Sequence, residues 1–263
     1  MLGKLLKYDL KWQYKVLLVF YIIAIILSIL VRLLGLIENS LMFHVIRSIL
    51  NGAMIAMLIN SLINGLIRSW VRFINNIYKD ESYLTHTLPV EKRTIYLSKV
   101  ITAIFSSFTS IVLAIVCLFI SYYSQSNMEI LKTFLKVAAD SYNTTIFGLI
   151  AVVSIVIFLE MLFIILIGYC GIIIGHKFNN GKMIKSTIIG IVLYLLTSSL
   201  TLGIVYIIGL FNEGVMNIIN TTDIVNIDSI KNVMYAGVII YLIYNIVYYL
   251  IGKIELEKGV NVD

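Results

Sequence analysis

Residues 146–174 read IFGLIAVVSIVIFLEMLFIILIGYCGIII, a run of 29 from Ile146 to Ile174 with a single charge, Glu160. A helix of that length, at about 1.5 Å per residue, exceeds the roughly 30 Å hydrocarbon core of a bilayer. The run is continuously apolar rather than alternating, so it reads as a membrane helix and not as a barrel strand. Five other stretches share its character: Val16 to Leu36, Ile46 to Ile67, Val100 to Tyr122, Ser186 to Leu210 and Val233 to Ile251. Six crossings place both chain ends on one side of the membrane. The first run is too long for a cleaved signal, and no small-residue cleavage site follows it.

Composition agrees with that reading. Of 263 residues, 60% are hydrophobic and 13% charged, and the mean hydropathy is +0.99. Soluble domains carry about 25% charged residues; half that charge cannot coat a globule of this size, which excludes a soluble enzyme. The net charge of +6 is modest for a nucleic-acid binder, and no nucleic-acid partner is expected. Cys117 and Cys170 both lie in apolar runs and build neither a disulfide framework nor a metal site. Fifteen of the twenty basic residues fall at the N-terminus, in the second and fourth connections and in the tail 252–263. The positive-inside rule then predicts cytoplasmic termini.

The longest connection, Arg68 to Lys99, is 32 residues, too short for an independent domain. The chain therefore carries no ATPase domain of its own. Gly175 to Met183 imitates a phosphate loop, but it has five residues between its glycines and Met183 where Ser or Thr would bind magnesium. It reads as a basic turn. No HExxH or GxSxG occurs, and His44, His86 and His176 are far apart and read as loop residues. No catalytic residue and no bound metal is expected.

Two connecting pieces carry more information. In residues 2–15, Lys4, Lys7, Lys11 and Lys15 share one helical stripe, and Leu2, Leu5, Leu6, Leu10 and Trp12 cover the opposite face. This predicts an amphipathic helix on the inner interface, its lysines toward anionic headgroups. Asp9 projects from the apolar face and is expected to pair, because an unpaired carboxylate there is costly. In segment 79–90, Asp80 reads as an N-cap, with Glu81 at the positive end of a short helix bearing Tyr83, Leu84, His86 and Leu88. Pro89 stops that helix and is read as an early residue of the next.

The order of these parts resembles the permease subunits of ABC-2 type transporters. Those proteins begin with an interfacial elbow helix, matched by residues 2–15. They carry a coupling segment that often reads D-x-x-Y-L-T-x-T-L-P before basic residues and S-K. Here stand Asp80, Tyr83-Leu84-Thr85, Thr87-Leu88-Pro89, Lys92-Arg93 and Ser98-Lys99. The resemblance spans the chain and implies an all-α fold of six crossings with an elbow and a coupling helix. It also implies two partner ATPase subunits that bind ATP and magnesium, a second permease chain, identical or homologous, and export across a bacterial cell membrane. No cofactor would be bound by this chain itself.

Polar groups inside the crossings are the remaining candidates. An intramembrane carboxylate such as Glu160 should face protein or a wet cavity, as part of a substrate path or as a packed acid. Asn60 and Asn64 mark a face of the second crossing that points toward the bundle or a partner chain. Tyr241, Tyr244 and Tyr248 form a polar-tipped stripe on the last crossing, and Gly171 and Gly175 form a GxxxG contact. Residues 127–139 read as an amphipathic helix on the outer interface. A channel or secondary carrier is the alternative, although the two halves show no evident sequence repeat. An intramembrane enzyme would lack paired catalytic residues.

Overall fold

The computed structural model describes residues 1–37, 41–220 and 227–260, with backbone alone at 227 and 228. Six described helices are long and apolar enough to cross a membrane, which fits a multi-pass membrane protein. The expected tail's residues 261–263 lie outside the described residues.

The helices, in chain order, are α1 (Leu2–Leu34), α2 (Leu41–Ile77), α3 (Ser82–Thr87), α4 (Lys92–Tyr122), α5 (Gln125–Ser141), α6 (Ile146–Gly175), α7 (Lys182–Phe211), α8 (Glu213–Ile219) and α9 (Ile227–Lys258). The chain divides into two compact units, residues 1–129 and 130–262, with the boundary inside α5.

In the first unit α1, α2 and α4 pack pairwise. Their contact faces invert the pattern of a soluble bundle. α1 buries Asp9, Gln13, Leu17, Tyr21, Ala24, Ser28 and Val31, and α4 buries Ala103, Ser106, Ser107, Ser110 and Ser121. The large apolar residues Leu18, Ile22, Ile26, Phe105, Phe108 and Ile115 point outward. Lipid is as apolar as leucine and drives no such burial, so helices associate through small residues that allow close approach and through hydrogen bonds. Tyr21 Oη pairs with Ser110 Oγ at 2.6 Å, and Gln13 Nε2 donates to the Gly65 carbonyl at 2.8 Å.

Residues 2–15 do not form a separate elbow. They are the first turns of the same helix that continues to Leu34. The face expected to lie in lipid carries Asp9 and Gln13, and both find partners on α2 and α4. Those bonds hold the segment against the bundle, while Lys4, Lys7, Lys11 and Lys15 stay exposed. The second and third crossings likewise extend past their apolar runs, to Ile77 and back to Lys92. Pro89 lies in the bend between α3 and α4, outside both helices, and Leu88 before it is extended, as a residue preceding proline favours.

In the second unit α6 packs against α7 and α9, and α8 against both of those helices. The GxxxG pair is spent within the chain: a Cβ on Gly171 would stand 2.8 Å from Gly190 Cα, and one on Gly175 would overlap Ser186. His176 lies in the connection after α6, as expected, but is fully buried there. It follows directly after α6, with Nδ1 2.8 Å from the Ile172 carbonyl oxygen and 3.1 Å from Ser186 Oγ. The short helix α8 had no counterpart among the expected elements; the Asn212 side chain caps it, accepting from the amides of Gly214 and Val215.

Candidate functional site

The start of α1, the end of α2 and the start of α4 meet at one end of the first unit, as three successive crossings require. A charge network joins them. The Asp9 carboxylate, 2% exposed, accepts from Arg72 Nε at 3.0 Å, Lys99 Nζ at 2.6 Å and Ser98 Oγ at 3.0 Å. Arg72 also donates from Nη1 to both oxygens of Glu81 at 2.6 Å, and Asn76 Nδ2 adds a bond of 3.0 Å to Glu81 Oε2. Two carboxylates thus face two cations. Trp12 closes one side: Arg68 stands 4.2 Å and Arg72 5.4 Å from its ring centroid, both within cation–π range.

The network explains why Asp80 is not the N-cap of α3. Glu81 occupies that position without a side-chain cap bond, because Arg72 and Asn76 take its carboxylate. Asp80 stays exposed. His86 ties the helix to the end of α2 through Nε2 and the Ile77 carbonyl at 3.0 Å. α3 is therefore reversed relative to an ordinary surface helix. Its inward face is Ser82 and Thr85, 0% and 4% exposed, whereas Tyr83 and Leu84 are 72% and 73% exposed and Leu88 44%.

The second unit gathers another set. The Phe163 ring contacts those of Tyr194, Tyr241, Tyr244 and Tyr248 at centroid distances of 5.4–6.2 Å. Tyr248 Oη pairs with Thr197 Oγ1 at 2.5 Å, and Tyr244 Oη accepts from Thr201 Oγ1 at 3.3 Å. Glu160, one turn before Phe163, is exposed rather than packed and makes no hydrogen bond or ion pair among the described residues. Asn60 is exposed and Asn64 half-buried. Their amides donate to the carbonyls of Ala56 and Asn60 one turn earlier in α2, so neither reaches another helix.

Beyond the transmembrane runs, Lys177 and Lys258 hold the Glu255 carboxyl below its usual range and join the segment after α6 to the end of α9. Among the described residues no three His, Cys, Asp or Glu side chains are placed to hold a metal ion.

Sequence reasoning did not single out Gln13, Trp12, Arg72, Asn76, Ser98 or Lys99 as members of these clusters. A signal existed for one of them, Gln13. Asp9 and Gln13 are one turn apart on a face otherwise apolar, which marks a stripe that needs polar partners. Which residues supply the partners is a long-range property. No family model matches the chain, and neither a curated protein nor a solved structure matches it.

Proposed function

We propose that the chain is the permease subunit of an ATP-driven exporter of the kind its sequence resembles. It moves a peptide, antibiotic or lipid-like hydrophobic cargo out across the cell membrane. The observation that carries the reading is the reversed α3. A six-residue helix held by its polar side and offering Tyr83 and Leu84 to solvent is built for a contact outside the chain. Burying two such side chains in a partner groove is worth about 3–6 kcal/mol, at roughly 1.5–3 each.

In this reading the end of the unit bearing Asp9 and α3 is cytoplasmic, as are both termini. Two ATPase subunits bind ATP and magnesium, and a second permease chain, identical or homologous, completes the pathway. Closure of the ATPases displaces α3. Glu81, Arg72 and Asp9 then pass that displacement to α1 and α4, because each link is a short charged contact rather than a flexible loop.

One observation favours a secondary carrier as the second reading. Each unit has three long helices, the first packed on both others, and a short helix between the second and third. Internal repeats of this kind are common in carriers. Carriers also break their helices near the midplane, whereas α6 and α7 run unbroken.

The test is photocrosslinking from position 83 in native membranes, with benzoylphenylalanine replacing Tyr83. The expected adduct contains a protein with a nucleotide-binding domain, and Leu84→Asp abolishes it. Crosslinking only to lipid or to this chain, with transport intact in Leu84→Asp, overturns the exporter reading.

A further inference from the structure

Glu160 is the one charge in α6 and sits halfway along it, about 21 Å from either end at 1.5 Å per residue. An ionisable group at that depth is retained when it has a partner, and this carboxylate has none among the described residues. Asn245 on α9 is 5% exposed and donates to the carbonyl of Leu159, the residue next to Glu160, at 3.0 Å. Its Oδ1 is buried and accepts no hydrogen bond. Glu160 is thus left open on this turn of α6, while the amide oxygen behind it stays enclosed.

The surrounding surface is aromatic. Tyr241 packs edge-on to Phe163 at 5.4 Å and Tyr194 flanks Phe163 at 6.2 Å. Neither of these two hydroxyls makes a hydrogen bond among the described residues, while those of Tyr244 and Tyr248 are taken by Thr201 and Thr197. Aromatic faces attract cations, more strongly where water is excluded. An open carboxylate and phenol rings at mid-membrane depth complement one kind of molecule: an organic cation with N–H donors and an apolar body.

We propose that Glu160, Tyr194 and Tyr241 form a binding site for a lipophilic amine in its ammonium form. The ammonium pairs with the Glu160 carboxylate, and the apolar body lies along the rings. The inference names the cargo chemistry of the proposed exporter and rests on that reading for its role in transport. The binding itself does not require an ATPase.

The experiment uses the full chain in lipid nanodiscs, with dansylcadaverine as a fluorescent primary amine and dansyl amide as its neutral counterpart. The wild type is expected to bind the amine saturably. Glu160→Gln should weaken that binding about tenfold or more, as loss of a charge-assisted hydrogen bond implies, and Glu160→Asp should retain most of it. The neutral probe should not distinguish the three proteins. Equal binding of both probes by the wild type, or unchanged amine affinity in Glu160→Gln, overturns the site. So does a changed oligomeric state in Glu160→Gln with amine affinity unaltered, which assigns the carboxylate to an interface between copies. If Glu160→Gln is not recovered folded, Tyr241→Leu carries the test: lost preference for the amine supports the site, and retained preference overturns it. Failure here leaves the crosslinking result at position 83 untouched, and failure there leaves amine binding untouched.

Discussion

Asp9 shows how one residue can redirect an element. A carboxylate on an apolar face, buried to 2% exposure, is tolerated only with cations and hydrogen bonds around it. Arg72, Lys99 and Ser98 supply them. Removing one member of such a set is far more damaging than removing a balanced pair, because the remaining charge stays buried and unmatched. Asp9→Ala is therefore expected to destabilise the folded chain by about 3–5 kcal/mol. Adding Lys99→Met should recover a large part of that loss. Unfolding titrations of wild type, both single variants and the double variant form the cycle that measures it. Simple additivity of the two single effects would show that Asp9 and Lys99 do not depend on each other.

Helix contacts in this chain are decided by where the backbone comes close. Gly171 and Gly190 face one another across α6 and α7, yet they are not equivalent. A Cβ on Gly171 would meet Gly190 backbone at 2.8 Å, whereas one on Gly190 would meet nothing within 4 Å. Gly171→Ala is accordingly expected to force the helices apart and cost about 1–3 kcal/mol, the usual range for overpacking. Gly190→Ala should be neutral or slightly stabilising, since alanine improves helix propensity by about 0.5–1 kcal/mol over glycine. Thermal inactivation of the two purified variants compares them directly. Equal losses would mean that the α6–α7 approach is not set at Gly171. α3 follows another rule at the same scale: it is anchored by polar contacts from α2, and its own apolar residues play no part in holding it.

For the whole molecule the prediction is one of sidedness. In a chain with Cys117 and Cys170 replaced, single cysteines at Lys132 and Asn220 should react with an impermeant maleimide added outside intact cells. Cysteines at Lys79 and Lys182 should react only after the membrane is opened. Labelling of position 182 from outside would overturn the arrangement with both termini inside.

Six helices long and apolar enough to cross a membrane were legible without any tertiary information, because the capacity to span a bilayer depends on length and local hydropathy, and both are properties of a continuous run such as 146–174. The existence of α3 was legible too, from Pro89 and the apolar pair Tyr83-Leu84 between charged flanks. The boundaries at its ends were not. The sequence offers Asp80 as the cap, but Arg72 and Asn76 fix Glu81 there instead. The elbow went unrealised for a related reason. Hydropathy described residues 2–15 as an interfacial helix, whereas ion pairs to residues 63 and 90 positions away hold it in line with the first crossing. The GxxxG of α6 announced a close contact without naming its partner. Only the packed structure decides such questions, because lipid rewards any apolar face equally and leaves the choice of neighbour to small residues, hydrogen bonds and buried charge.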